Sequence, residues 1–372
     1  MFKKVYLYMY LNLNLGDDLF LHILLMRYKR VTFFIQYDER YEQFVNKYDN
    51  LIFIEKSVAY KFLEKFQALY NKYVIRGFNP ILLNPDNYDS ILFLGGSIFS
   101  AGGLKEYAKP IFNTYNYLCE IFTDRKKRCF FLGCNFEKNY PENLIKSYSR
   151  LFSRDLVDVC FRDLYSQKVF IQTPNIRFAD DIVFGYKYGK KLYPQKILGI
   201  SIIELKNRKT LLQHYNGYME FLAGVIKKAV EDKYHIRLFS FCKSEGDCEA
   251  ANELIKICSC TCIDTITYGG DIEEFLRIYL ESSIVIGTRF HAVVLAINHG
   301  IPCLPVVYSS KTANLLDDIN WKGLRFDMRT SDAMKNVLDW DKIRGMEPYK
   351  GSVGKSWENH FVKFDEWVGD MQ

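Results

Sequence analysis

Long apolar runs are missing from this sequence. The longest near the N-terminus, Leu19–Leu21 and Ile23–Met26, are split by His22. A membrane-spanning helix needs about 20 apolar residues. The opening stretch MFKKVYLYMYLNLNLGDD has lysines before apolar residues, as a signal peptide does. Its alternating tyrosines, interrupting asparagines and lack of a small-residue cleavage site predict a first strand instead. A cytoplasmic protein is expected, with peripheral contact at the inner face of the membrane left open. Cysteine is sparse, ten in 372 residues, too dilute for a disulfide scaffold. Cys258, Cys260 and Cys262 alternate, but no CxxC pair or neighbouring histidine completes a metal site, so reduced structural cysteines and no metal are expected. Charge bias is also small. Fifty Lys and Arg against 44 Asp and Glu leave +6, with acidic residues interspersed among the basic clusters. A nucleic-acid binder would concentrate that charge in a stripe. Only 31 residues are Gly or Pro (22 and 9), which removes collagen and low-complexity disorder.

What the chain has in excess is aromatic side chains: 29 Phe, 27 Tyr and 4 Trp. Such residues build cores or stack on sugars and bases; a core is the larger use. Most lie in predicted strands and helix faces, such as Tyr6, Tyr8, Phe33, Phe93 and Phe221. Phe99, Phe136 and Tyr308 fall near strand ends, where stacking on a sugar is open.

Short apolar runs alternate with helical patterns throughout. Strands are predicted at Lys4–Leu11, Val31–Tyr37, Leu51–Glu55, Asp89–Leu94, Arg128–Leu132 and Val157–Phe161, with helices at Asp17–Lys29, Val58–Tyr73, Tyr107–Phe122 and Leu144–Phe152. A second series begins near Lys196. It has strands at Ile197–Ile203, Ile236–Phe241, Cys262–Thr267, Ser283–Gly287 and Cys303–Val307, and helices between them. This alternation predicts two α/β domains with parallel sheets covered on both faces. The first is expected at residues 1–186 and the second at 196–345, joined by the polar linker Tyr186–Gln195. The tail, 346–372, carries a helix at Trp357–Val368 that can return to the first domain. Ligands of open α/β sheets bind beyond the carboxyl ends of strands, so the residues just after strands hold the chemistry.

Three strand ends stand out. Asn12-Leu13-Asn14-Leu15-Gly16-Asp17-Asp18 closes the first strand and opens a helix. Gly16 allows a tight turn and one aspartate can cap the helix. The other carboxylate, with Asn12 and Asn14, can hydrogen-bond ligand hydroxyls. Leu94-Gly95-Gly96-Ser97 permits close backbone approach but lacks the GxGxxG dinucleotide pattern, and Gly102-Gly103 come too late to supply it. Ile286-Gly287-Thr288-Arg289-Phe290-His291 brings a guanidinium and an imidazole to a helix N-terminus, a combination suited to phosphate or carboxylate. Lys311, after Tyr308-Ser309-Ser310, places another cation after the next strand.

The stretch Val285–Ala296, with Gly300-Ile301-Pro302 and Tyr308-Ser309-Ser310-Lys311, resembles the C-terminal signature of polysaccharide pyruvyl transferases. Asn12–Asp18 resembles that family's N-terminal element, and Leu94–Ser97 its glycine-rich strand end. Phe161-Arg162-Asp163 to Ser166, then Ala179-Asp180-Asp181-Ile182-Val183-Phe184, resembles its central segments. The matches keep their order over residues 10–320. Two glycines stand at 95–96 where many members carry three, Ala179 replaces a common proline, and His299 a small or aromatic residue.

The resemblance implies two Rossmann-like domains with a central cleft, similar to the glycosyltransferase B fold. The first domain would be the acceptor side and the second the phosphoenolpyruvate side. It implies transfer of pyruvate from phosphoenolpyruvate to two hydroxyls of a sugar in a cell-surface polysaccharide or its lipid-linked precursor. The products would be a cyclic ketal and phosphate, with phosphoenolpyruvate as co-substrate and no separate cofactor. Arg289, Arg162, Lys311 and Thr288 are then assigned to phosphoenolpyruvate, and His291 to protonation of the enol carbon or to phosphate binding. Asp17 and Asp18 are candidate bases, with Asp180 and Asp181 as alternatives. Asn12, Asn14, Gly16, Gly95, Gly96, Ser97, Asp180 and Asp181 are assigned to the acceptor. Two other readings compete: a nucleotide-sugar glycosyltransferase of similar fold using Asp317 and Asp318, and a non-catalytic glycan-binding or scaffold protein.

Overall fold

The computed structural model describes residues 2–54, 83–101, 105–189, 195–206, 208, 211–259, 262–330 and 339–369. The helix expected at Val58–Tyr73, Gly102-Gly103, Cys260 and half of the linker lie outside these residues. The chain divides into two compact units. One comprises Met1–Leu11, Phe20–Ile182 and Ser356–Gln372; the other comprises Asn12–Leu19 and Val183–Lys355.

Among its described residues the first unit holds seven parallel strands: β1 (Lys3–Met9), β2 (Val31–Gln36), β3 (Leu51–Ile54), β4 (Ser90–Leu94), β5 (Arg128–Cys134), β6 (Val157–Phe161) and β7 (Ile176–Phe178). Their spatial order is β3-β2-β1-β4-β5-β6-β7. β4 is buried along its whole length, and β5 is buried beyond Arg128, as strands covered by helices on both faces must be. The aromatic excess is spent here. Phe93 and Phe131 stack at 4.2 Å, and Phe99, Tyr115, Phe136, Tyr148 and Phe152 complete one cluster. Each such ring contributes roughly 1.5–3 kcal/mol by burial. Phe99 and Phe136 are therefore core residues, not sugar-stacking surfaces. The terminal helix Val362–Gly369 packs Phe364 against Tyr28, Phe33 and Phe130.

The second unit holds β8 (Gln195–Ser201), β9 (His235–Ser240), β10 (Ile263–Thr267), β11 (Ser282–Gly287), β12 (Cys303–Val307) and β13 (Phe326–Asp327). They are parallel in the order β10-β9-β8-β11-β12-β13. Both sheets run outward from their first strand, then cross back to its other side. The strand order reverses between β1 and β4, and between β8 and β11. Those reversal points are where α/β sheets open a ligand crevice beyond the strand ends.

No helix among the described residues is long and apolar enough to cross a membrane. Among the described residues eight cysteines are free thiols, whereas Cys262 is disulfide-bonded, a departure from the reduced state expected.

Candidate functional site

In the second unit, β11 ends at Gly287 and the helix Phe290–Asn298 starts three residues later, capped at Arg289. Ser201, at the end of β8, ties the turn down. Its hydroxyl accepts from the backbone N–H of Thr288 at 2.9 Å and of Arg289 at 3.1 Å. Thr288 is fully buried and its hydroxyl pairs with Tyr218 at 3.0 Å. It supports the turn from within the core.

Arg289 was expected to face an anion. Its Nε donates to Asp247 at 3.0 Å, its Nη2 donates to the same carboxylate, and its Nη1 donates to Glu245 at 2.6 Å. Three of its five N–H groups are thereby committed. Asp247 is fully buried and also accepts from the backbone N–H of Phe241 and Cys242. Burial pushes the Asp247 carboxyl above its ordinary range against the pull of Arg289. Burial also acts to raise Glu245, but Arg289, Arg208 and Lys311 hold it down at about 2.

The cationic cluster extends beyond Arg289. Arg208 donates to Glu245 at 2.8 Å and lies 5.6 Å over the Tyr308 ring. Burial pushes the Tyr308 phenol up, yet Lys311, Arg208 and Arg289 pull it below its ordinary value. Arg208, Arg289 and Lys311 oppose Glu245 and Asp247, which leaves a local excess of positive charge. Arg208 was not legible in the sequence. It lies in an irregular stretch after β8 with no motif around it.

The segment Asn12–Leu19, expected in the first domain, groups with the second unit. Its contacts explain why. The Leu15 N–H donates to the Phe241 carbonyl at 3.1 Å, and the Tyr268 hydroxyl donates to Asp18 at 2.9 Å. Asn14 accepts from the Gly16 N–H at 3.1 Å, and Asn12 donates to the Cys242 sulfur at 3.7 Å. Both asparagines thus shape the loop. Gly16 lies directly under the His291 imidazole, so a Cβ there would fall inside the ring, nearest Nδ1. The first and third sequence elements meet at this contact. Of the two aspartates, Asp18 is fully buried on Tyr268, while Asp17 is half-buried in the first turn of the helix Leu15–Arg27.

In the first unit, Gly95 has φ of 139°, a conformation suited to glycine. Ser97 is half-buried in the turn after β4. A Cβ on Gly96 would strike the Arg162 guanidinium, so the second and central elements also meet at a glycine. Arg162 is buried and donates to Asp181 at 2.8 Å and to Asn135 at 2.8 Å. Asp181 is therefore a buried ion-pair partner. Asp180 accepts from the N–H and hydroxyl of Ser356, at 3.1 and 2.9 Å, and anchors the tail. His360 donates from Nε2 to the Asp180 carbonyl and accepts at Nδ1 from the Gly133 N–H. Its burial lowers its pKa to about 3, so it is neutral. Arg162 belongs to this unit, and Arg289 and Lys311 to the other.

Two parallel sheets, each reversing its strand order beside a glycine-bearing strand end, define an α/β protein of two Rossmann-like units, similar to the glycosyltransferase B fold. The likeness to solved structures has the same character. A Methanocaldococcus jannaschii UDP-GlcNAc 2-epimerase in complex with UDP-GlcNAc and UDP matches with a TM-score of 0.58 at 11% identity, covering 98% of this chain and 99% of that one. A putative UDP-N-acetylglucosamine 2-epimerase from Listeria monocytogenes gives 0.57 at 11% identity, over 100% and 98%. Anabaena HepE in complex with UDP and glucose gives 0.55 at 10% identity, over 100% and 99%. At these identities the likeness concerns the fold alone. No curated protein shows significant sequence similarity to the chain. The polysaccharide pyruvyl transferase family model matches residues 14–310, and the chain belongs to that family. Membership implies a transferase acting on polysaccharide.

Proposed function

We propose that the protein transfers the pyruvyl group of phosphoenolpyruvate to two hydroxyls of a sugar in a polysaccharide or its lipid-linked precursor. Phosphate is released and no separate cofactor takes part. The observation that carries the reading is the seating of His291 on Gly16 beside Arg289, within a unit that also gathers Arg208 and Lys311. Phosphoenolpyruvate brings a phosphate and a carboxylate, and this cluster has cations for both. Arg289 acts chiefly by positioning the turn, with Arg208 and Lys311 as the nearer anion ligands.

His291 donates a proton to the methylene carbon of phosphoenolpyruvate. The adjacent carbon becomes oxocarbenium-like, and a sugar hydroxyl attacks it while Asp17 takes the hydroxyl proton. The carbon–oxygen bond to phosphate then breaks, and phosphate leaves with the proton held by Asp17. The second hydroxyl closes the ketal and returns its proton to His291. One phosphoenolpyruvate and one diol thus give one ketal and one hydrogen phosphate. General acid–base help of this kind contributes roughly 10²–10⁴ in rate.

The nucleotide-sugar alternative would use Asp317 and Asp318. Asp317 is exposed near the end of the helix Ser310–Asp318, 3.6 Å from Arg325, which offers no support for a ribose contact there. Phosphorus NMR of phosphoenolpyruvate with the enzyme and lipid-linked oligosaccharides separates the readings. Phosphate should appear only when enzyme and acceptor are both present, and His291→Ala should abolish it. Consumption of a UDP-sugar with phosphoenolpyruvate untouched would sink the proposal.

A further inference from the structure

A cavity of about 230 Å³ lies in the first unit. It opens beyond the carboxyl ends of β1 and β2, against the helix Lys105–Thr123. Its walls include Tyr8, Tyr10, Tyr37 and Tyr115, and its polar lining includes Asp38 and Arg40. Much of the ring orientation is fixed by neighbours. Tyr115 donates to the Ile98 carbonyl at 2.8 Å and meets Tyr8 edge-on at 5.7 Å. Tyr37 donates to Glu42 at 2.7 Å and packs edge-on against Phe53 at 5.0 Å. Arg40 is held in place too: it donates to Asp38 through Nε and Nη2, at 2.9 and 2.6 Å, and to the Leu11 carbonyl at 2.9 Å.

We infer that this cavity binds one pyranose ring of the acceptor glycan. The inference deepens the pyruvyl-transfer reading and rests on it for the identity of the glycan as acceptor. A pyranose has faces of C–H groups and edges of hydroxyls. Tyrosine rings offer flat apolar surfaces to the faces. A carboxylate that accepts and a guanidinium that donates suit the edges. The volume lies below the roughly 300–1,000 Å³ of pockets for drug-sized ligands, which favours a single sugar ring over a nucleotide. The paired charges of Asp38 and Arg40 cancel, so the lining suits a neutral ligand better than a phosphate.

The test uses saturation-transfer difference NMR on the full-length protein with methyl glycosides of glucose, galactose and mannose, and with UDP for comparison. In parallel, the KM for a lipid-linked acceptor and for phosphoenolpyruvate is measured. Saturation should reach the ring C–H protons of at least one glycoside. Tyr37→Ala should weaken that binding and raise the acceptor KM by about tenfold, the upper end of what an aromatic face contributes. Tyr37→Phe keeps the ring and should retain both, and neither variant should change the KM for phosphoenolpyruvate. Tyr10→Ala repeats the test at a second wall should Tyr37→Ala fail to fold. An unchanged acceptor KM in folded alanine variants overturns the cavity assignment while leaving pyruvyl transfer standing. Glycoside binding that Tyr37→Ala weakens, in a protein that never consumes phosphoenolpyruvate, supports the cavity and rejects the reaction. Displacement of the glycosides by UDP would also overturn the assignment.

Discussion

Adding one methyl group at Gly16 perturbs His291 without substituting any titratable residue. The Cβ of Gly16→Ala would fall inside the imidazole. The ring must retreat by more than about 1 Å to restore ordinary packing. Misplacement of that size costs on the order of 10²-fold, and loss of the general acid altogether costs about 10²–10⁴-fold. The fold should survive. Gly16 is the second residue of a helix, where alanine is favoured over glycine by about 1 kcal/mol. Overpacking costs about 1–3 kcal/mol, so the net change is small. The assay is phosphate release under saturating phosphoenolpyruvate and acceptor, for Gly16→Ala, His291→Ala and the double variant. The single variants should each lose at least about 10²-fold in kcat, with melting temperatures within a few degrees of wild type. The double variant should be no slower than His291→Ala, because both changes remove one function. A fully active Gly16→Ala, or losses that multiply in the double variant, would refute the coupling of glycine and histidine.

Three further outcomes follow from the buried titratable groups. Asp247→Asn leaves the Arg289 guanidinium without its main counter-charge and should lower stability by about 3–5 kcal/mol, measured by urea unfolding. Glu245 has a folded pKa of about 2 against an ordinary 4.5, so its stabilisation is complete above 4.5 and lost as pH falls toward 2. Glu245→Gln should therefore flatten the stability profile across that window. His360 titrates near 3 when folded and near 6.5 when unfolded, so the unfolded chain takes up its proton first and stability falls as pH drops below 6.5. His360→Gln should remove that slope between pH 6.5 and 5; an unchanged slope would show that the buried imidazole is not its source.

Elements with a clear period were legible in the sequence. β6 and β12 fall at the predicted boundaries, and others differ by a few residues. β7 and β13 were not predicted, because strands of three and two residues carry no alternation to read. The strand-end motifs could be found because glycines and charges after apolar runs are visible in one dimension. Their partners could not. Nothing in the sequence marks Gly16 as the seat of His291, or Gly96 as the seat of Arg162, since each pair is joined only by folding. The roles of charged residues were the least legible part. Asp181 and Asp247 became buried partners of arginines, and Asp180 an anchor for the tail. A carboxylate beside a motif looks the same in sequence whether it faces a ligand or an arginine. The aromatic excess divides similarly, with Phe99 and Phe136 in the core, Tyr8, Tyr10 and Tyr37 around a cavity, and Tyr115 in both.

Mass spectrometry of lipid-linked oligosaccharides incubated with the protein and phosphoenolpyruvate tests pyruvyl transfer most directly. The expected result is a product heavier by one pyruvic acid less water, formed with one phosphate per molecule and absent with His291→Ala. An acceptor of unchanged mass, or one that grows by a whole sugar only when a UDP-sugar is supplied, would contradict it.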